Sequence, residues 1–230
     1  MYSVIKRVVT RIRDIAGKNN RFDGKQYWEA RAVTYGKNAV LNLAHKETEF
    51  DQVTASQREI LLPLFTNQLL GSERSVLDFG CGPGRFTQDL AEAIHGSAVG
   101  VDISEKLIQL ARPGPNVTFR VAASGEIPGN IAEFDVVWIC LVLGGIPEVA
   151  LRDTIVHLEA VLKPGGLMFL IENTAQKPDG AYWFFRTASY YQSLFPSIDL
   201  QRISSYTDVS EEISIFAGRK SLRESPLPLK

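Results

Sequence analysis

Val76-Leu77-Asp78-Phe79-Gly80-Cys81-Gly82-Pro83-Gly84-Arg85-Phe86 is the stretch whose reading decides the fold. An apolar run ends in three glycines spaced two apart, and a segment of helical period, residues 85–94, opens directly after it. Glycines permit the tight turn of a strand-to-helix junction and let a ligand come close to the backbone. The helix N-terminus that follows offers amides without intrahelical partners. Asp78 stands two residues before the first glycine, and a second acid, Asp102, lies in the next apolar run, residues 98–103. A carboxylate at the end of that second run can accept both hydroxyls of a ribose.

Outward from this junction, strand and helix patterns alternate. Residues 104–111 read as helix, 117–122 as strand, and 134–143 as a nearly continuous apolar strand of the kind buried on both faces. Residues 147–162 read as a helix closed by Lys163-Pro164-Gly165-Gly166, and 167–171 as another buried strand. The tail differs, because 200–205 and 213–218 read as two strands with no helix between them. The pattern predicts an α/β fold, a Rossmann-like doubly wound sheet, mostly parallel with an antiparallel C-terminal strand. Upstream, residues 26–35 and 56–70 read as helices, the first broken at Gly36 and the second bent or interrupted at Pro63, forming an N-terminal helical cap. The predicted organisation is a basic amphipathic arm (1–21), the cap (22–70), a core (71–220) with an aromatic insertion near 178–197, and a tail (221–230).

Composition bounds the function. The 230 residues are 45% hydrophobic and 22% charged, which suits one domain with a full core and an appendage. Two cysteines, Cys81 and Cys140, exclude a disulfide-rich scaffold or a four-thiolate zinc site, and their apolar or glycine-rich settings suit a reduced, cytoplasmic protein with no metal. No run approaches the roughly 18 apolar residues of a membrane-spanning helix, and the N-terminus lacks a signal-peptide core. The net charge is −1, yet six basic residues against Asp14 in residues 1–21 give that arm +5 and leave −6 on the remainder. Val4, Ile5, Val8, Val9, Ile12 and Ile15 recur there at helical spacing. Such an arm either packs on its own domain or makes peripheral contact, through residues 1–17, with an anionic membrane or a partner.

A dinucleotide-binding turn is the first rival, but its Gly-x-Gly-x-x-Gly spacing is not the one found here, and no Gly-Lys-Ser/Thr phosphate loop follows. Over residues 72–219 the chain resembles the class I S-adenosylmethionine-dependent methyltransferases. Residues 78–84 resemble the first motif of that family and Gly100-Val101-Asp102-Ile103-Ser104 the second. Phe134-Asp135-Val136-Val137 resembles its fourth strand, and Leu162-Lys163-Pro164-Gly165-Gly166 the approach to its fifth. The resemblance implies S-adenosyl-L-methionine as cofactor. Asp78, Gly80, Cys81, Gly82, Gly84, Asp102, Ile103 and Cys140 would hold it, with Tyr27, Trp28 and Arg31 of an N-terminal helix folded over it. Two departures are present. Ala123 stands where the family often has an acid, which turns Ser124, Gly125 and Glu126 into the candidates for the adenine. Gly144-Gly145 stands where many members have a histidine, opening room for substrate and moving any general base to another element.

His45, in a polar stretch of the cap, and Glu172, at the end of the fifth strand, are the catalytic candidates; His95 and His157 read as structural. Tyr35, Asn173, Tyr182, Arg186 and Tyr190 are the substrate candidates, the last three in an aromatic insertion that is either a packing helix or a substrate wall. The layout resembles small-molecule or glycan methyltransferases, so the expected acceptor is a hydroxyl of a sugar or other small molecule. A protein N-methyltransferase and a non-catalytic cofactor-binding regulator are the alternatives. A nucleic-acid acceptor is not expected, because the body is acidic and no Asn/Asp-Pro-Pro-Tyr/Phe follows the fourth strand. The oligomeric state is left open.

Overall fold

The computed structural model describes residues 23–122, 126 and 129–222. The basic arm, Ser124, Gly125 and most of the tail lie outside the described residues. Helix α1 (Gly24–Tyr35) starts where the Asp23 carboxylate accepts the Gln26 amide, at 3.0 Å, and stops at Gly36, whose φ of 55° takes the chain out of the helix. Helix α2 (Phe50–Thr66) begins earlier than its sequence pattern suggests. A 3-10 turn at Glu47–Glu49, closed by the Glu49 carboxylate on the Lys46 amide, leads straight into it. Pro63 lies inside α2 and does not end it, because Phe50, Thr54, Gln57, Leu61 and Phe65 form one buried stripe that tertiary packing holds.

Seven strands follow: β1 (Ser75–Phe79), β2 (Ser97–Asp102), β3 (Val117–Val121), β4 (Phe134–Cys140), β5 (Leu162–Asn173), β6 (Gln201–Asp208) and β7 (Glu211–Arg219). They form one sheet in the order β3-β2-β1-β4-β5-β7-β6. Pairings from β3 through β5 are parallel, and β7 runs antiparallel to both β5 and β6. Helices α3 (Thr87–Ala93), α4 (Glu105–Ile108), α5 (Glu148–Val161) and α6 (Ala188–Ser193) occupy the connections. Residues 163–166 are a bulge within β5 and not a separate loop, since Phe134 pairs with Leu162 while Val136 already pairs with Leu167.

The central strands are buried on both faces. Leu77, Val137, Ile139, Met168 and Leu170 serve one core, and Val76, Val136, Trp138, Phe169 and Ile171 the other. Phe65 of α2 meets Trp138 and Phe169 edge-on, each at 5.4 Å, which fastens the cap to the middle of the sheet. The chain leaves β1 toward β2 on one side and reaches β4 on the other, so a crevice opens at the C-terminal ends of β1 and β4. No helix among the described residues is long and apolar enough to cross a membrane.

Candidate functional site

A cavity of about 290 Å³ occupies that crevice. Asp78, Gly80 and Cys81 line it from the end of β1, Asp102 and Ile103 from β2, and Cys140 with Leu141 and Val142 from β4. Trp28 of α1 and Glu126 complete the part that the sequence anticipates.

The glycine turn is closed by its own hydrogen bonds. The amides of Gly80 and Cys81 both donate to Val101 O, at 2.8 and 2.9 Å, and the Gly84 amide donates to Cys81 O at 3.0 Å. The Gly82 amide donates to Asp102 Oδ2 at 2.9 Å, and Pro83 has no N–H. Every amide from 80 to 84 is therefore engaged, and the turn has no donors to give a pyrophosphate. Gly80, Gly82 and Gly84 all have positive φ, and a Cβ on them would meet Val142, Val40 and Phe119 respectively. Gly82 and Gly84 are not among the residues lining the cavity, though Val40, which a Cβ on Gly82 would meet, is; the turn needs both glycines for its backbone shape.

Asp102 accepts the Ser104 amide on Oδ1 at 2.8 Å and the Gly82 amide on Oδ2, which fixes the carboxylate and leaves each oxygen a further lone pair for a hydroxyl. Asp78 accepts the Thr87 hydroxyl on Oδ2 at 2.6 Å. Burial pushes Asp102 up to about 6 and Asp78 up to about 7, the latter helped by the nearby Asp102 charge.

Beyond β4 the backbone turns sharply. Leu141 takes a φ of 58°, a strained value for a branched residue, and it lines the cavity. Glu172 holds the turn from one side: its Oε1 accepts the amides of Val142 at 2.8 Å and Leu143 at 2.6 Å, and its Oε2 that of Gly144 at 3.3 Å. Arg186 holds it from the other, donating to Leu143 O and Ile146 O, both at 2.8 Å. Both side chains are buried, and neither lines the cavity. Glu172, the catalytic candidate, and Arg186, the substrate candidate, thus form a matched clamp on the post-β4 turn. Burial pushes Glu172 up to about 7 against the three amides that favour its ionised form.

Other candidates are also engaged elsewhere. His45 Nε2 lies 2.8 Å from Asp208 Oδ1 and its Nδ1 3.5 Å from Glu49, tying the cap to the end of β6 outside the cavity. Asn173 donates to Glu211 at 2.6 Å, and Tyr190 donates to Glu148 at 2.5 Å. Tyr182 stacks on Tyr27 at 4.0 Å, and Arg31 donates to the Tyr27 hydroxyl and to Leu41 O while lying over Trp28. Tyr35 packs with Ala32, Ala39 and Leu107. None of Tyr27, Arg31, Tyr35, His45, Asn173, Tyr182 and Tyr190 lines the cavity. The Trp183 indole covers Gly144, whereas Gly145 lines the cavity, with the Trp28 indole within 3.3 Å of a Cβ built there.

Two contributors escaped the sequence reading. Arg85 lines the cavity from directly after the glycine turn. Ala150, Asp153, Thr154 and His157 line it from α5, leaving Leu151, Ile155 and Leu158 to the core. That second face recurs at helical spacing and could have been found on a wheel. His157, read as packed, is exposed at the rim.

The buried acids give a pH prediction. Asp78, Asp102 and Glu172 keep protons in the folded chain that unfolded carboxyls, titrating near about 4, have already released. From about pH 4.5 to 7 the ligand-free fold should therefore lose stability as pH rises. Below that window Glu73 and Asp135 act oppositely: burial raises them, but amide and Arg219 or Lys163 hydrogen bonds bring both net below the usual range. Thermal midpoints should peak near about pH 5; a midpoint that climbs steadily to pH 7.5 contradicts this balance.

Residues 76–166 match the family model described as a methyltransferase domain. A demethylmenaquinone methyltransferase of Lysinibacillus sphaericus is 27% identical over 153 residues, covering 64% of this chain and 64% of that protein. A ubiquinone biosynthesis O-methyltransferase of Aromatoleum aromaticum is 32% identical over 130 residues, covering 54% of this chain and 53% of that one. The chain thus spans just over half to just under two thirds of these curated relatives. Among solved structures, magnesium protoporphyrin IX methyltransferase of Synechocystis, with bound SAH, superposes with a TM-score of 0.67 at 17% identity, over 86% of this chain and 98% of that one. A SAM-dependent methyltransferase of Methanosarcina mazei superposes with a TM-score of 0.59 at 20% identity, over 70% of this chain and 98% of that one. The sheet is that of the Rossmann-like methyltransferases, and the family match runs from β1 into β5.

Proposed function

We propose that this chain is an S-adenosylmethionine-dependent methyltransferase of class I, acting on a hydroxyl of a small-molecule acceptor. One observation carries the reading: the cavity pairs a ribose-competent acid, Asp102, with a second buried acid, Asp78, across a glycine turn whose amides are all engaged. Such a site suits a nucleoside bearing a cationic group and has no use for a phosphate. The domain match and the names of the relatives support the same activity. When bound, S-adenosylmethionine supplies an electrophilic methyl group on a sulfonium. The chain itself supplies orientation and exclusion of water: Asp102 takes the ribose hydroxyls, Trp28 roofs the cavity, and the Glu172–Arg186 clamp fixes the post-β4 turn beside it.

The acceptor class rests on two relatives whose names concern quinones, both small molecules. A sugar remains within the class, although the insertion's rings are engaged with protein and lend it no special support. Turnover of methyl-labelled cofactor against pools of phenols and quinols, saccharides, peptides and RNA is the test. Label in a small-molecule pool is expected; label in peptide alone overturns the acceptor, and binding without turnover in every pool turns the protein into a regulator. Asp102→Ala should weaken S-adenosylhomocysteine by about 1.5–3 kcal/mol, the range for hydrogen bonds to a charged group. Unchanged affinity in calorimetry, with the fold intact, would refute the ribose assignment.

A further inference from the structure

We propose that Arg85 holds the acceptor, and that the acceptor presents an acidic hydroxyl, of a phenol or an enol, which Arg85 keeps ionised as the nucleophile. The inference rests on the methyltransferase reading and narrows its acceptor. Arg85 is only 8% exposed and lines the cavity. Its Nε donates to the Thr54 hydroxyl at 3.2 Å, and its Nη2 donates to Gln57 Oε1, which leaves Nη1 without a partner among the described residues. Gln57 in turn donates to the Tyr206 hydroxyl at 3.3 Å. The rings of Phe86 and Phe50 lie 4.8 and 5.9 Å from the guanidinium carbon. All of these partners are neutral. Asp78, Asp102, Glu126 and Asp153 also line the cavity, yet among the described residues no carboxylate forms an ion pair with Arg85.

The titratable groups near enough to act on the guanidinium are Cys140, Tyr206, Asp208, Arg58 and Asp78. Burial pushes the Cys140 thiol up to about 12 and raises the Tyr206 hydroxyl too, so both stay neutral. Asp208 is taken by His45 at 2.8 Å, Arg58 by Asp89 at 2.7 Å, and Asp78 accepts the Thr87 hydroxyl. Cys140 ends β4 and Tyr206 and Asp208 end β6, and both strands lie across β1 from β2, which carries the ribose acid. The four acids suit a cationic donor; the guanidinium beside β4 and β6 suits an anion.

A buried guanidinium without a counter-ion is costly, and a ligand that brings the anion removes the cost. In return, an opposite charge at contact lowers the pKa of an acid by about 1–3 units. That brings a phenol or an enol within reach of neutral pH and leaves a sugar hydroxyl far from it. An acceptor that gives its proton to solvent on binding needs no base, and His45 and Glu172, which have that chemistry, are committed elsewhere. The anionic oxygen bonds to the methyl carbon as the carbon–sulfur bond breaks. The bonding pair leaves on sulfur as a neutral thioether, and no proton moves in that step.

The test uses the full chain saturated with S-adenosylhomocysteine, and para-nitrophenol as the probe, because its absorbance reports its ionisation. Bound to wild type, the probe should titrate about 1–3 units lower than in solution. Arg85→Gln should abolish that shift and weaken the phenolate by about tenfold or more, while S-adenosylhomocysteine affinity in calorimetry stays within about twofold of wild type. Arg85→Lys should keep part of the shift, a point charge lacking the planar fork. A probe that wild type binds with its solution pKa, or does not bind, overturns the proposal, a result that does not depend on any variant folding. So does an Arg85→Gln variant that loses S-adenosylhomocysteine in step with the probe, which would make Arg85 a cofactor contact or a support for α2. Benzoate checks the other source of an anionic oxygen. Benzoate bound in place of the phenol, with the same dependence on Arg85, overturns the acidic hydroxyl in favour of a carboxylate acceptor. A wild type that binds no S-adenosylhomocysteine overturns the methyltransferase reading itself, whereas tight binding of it without a shifted phenol overturns only the role of Arg85.

Discussion

Glu172→Ala should lower the stability of the fold by about 3–5 kcal/mol, the usual loss when one partner of a buried charged network is removed. Three backbone amides, of Val142, Leu143 and Gly144, lose their acceptor at once, and the buried Arg186 loses the nearby negative charge. For a domain of this size each kcal/mol moves the midpoint by about 2–4 °C, so thermal unfolding should come roughly 10 °C earlier. Glu172→Gln, which keeps an acceptor oxygen but brings amide hydrogens against the amide donors, should fall between. Methyl transfer should decline with the folded fraction and with the order of the post-β4 turn. An Ala variant as stable as wild type but catalytically dead would return Glu172 to the chemistry.

Gly80→Val combines two penalties at one position. The native φ of 72° costs a β-branched residue about 1–3 kcal/mol. The new Cβ would also land on the Val142 side chain, and overpacking of this kind costs about 1–3 kcal/mol more. Relief by moving the turn would break the paired bonds of Gly80 and Cys81 to Val101 O and shift the floor of the cavity. S-adenosylhomocysteine binding should therefore drop below detection in calorimetry even where the variant remains folded at low temperature. An unchanged dissociation constant would sink the argument.

The elements were legible because their signals are local. Ser75–Phe79 is a strand in both readings, since a short apolar run stopped by glycine has few other conformations. Gly36 ends α1 as its residue type suggests. Less local features slipped. Residues 163–166 resemble a loop by composition, yet pairing on both sides keeps them within β5. Pro63 looks like an interruption, yet the packing of Leu61 and Phe65 carries α2 through it.

The sequence by itself determined the doubly wound sheet, its antiparallel C-terminal strand and the place of the cavity. Periodicity and glycine spacing act over a few residues and need no knowledge of what lies opposite. Asp78, Gly80, Cys81, Asp102, Ile103 and Cys140, the residues that the family resemblance implies, all line the cavity, because they stand at or beside strand ends and strand ends define the crevice. Only the tertiary structure decided what the remaining polar groups do. Glu172 serves three amides that precede it by a whole helix, His45 serves an aspartate on the far strand β6, and Gly144 serves the Trp183 indole. Arg85 was hidden for the same reason, as its character follows from the neutral groups of α2 around it. A charged side chain has little preference of its own; which opposite charge, amide or ring folds against it sets its role, and that is a property of distance in space.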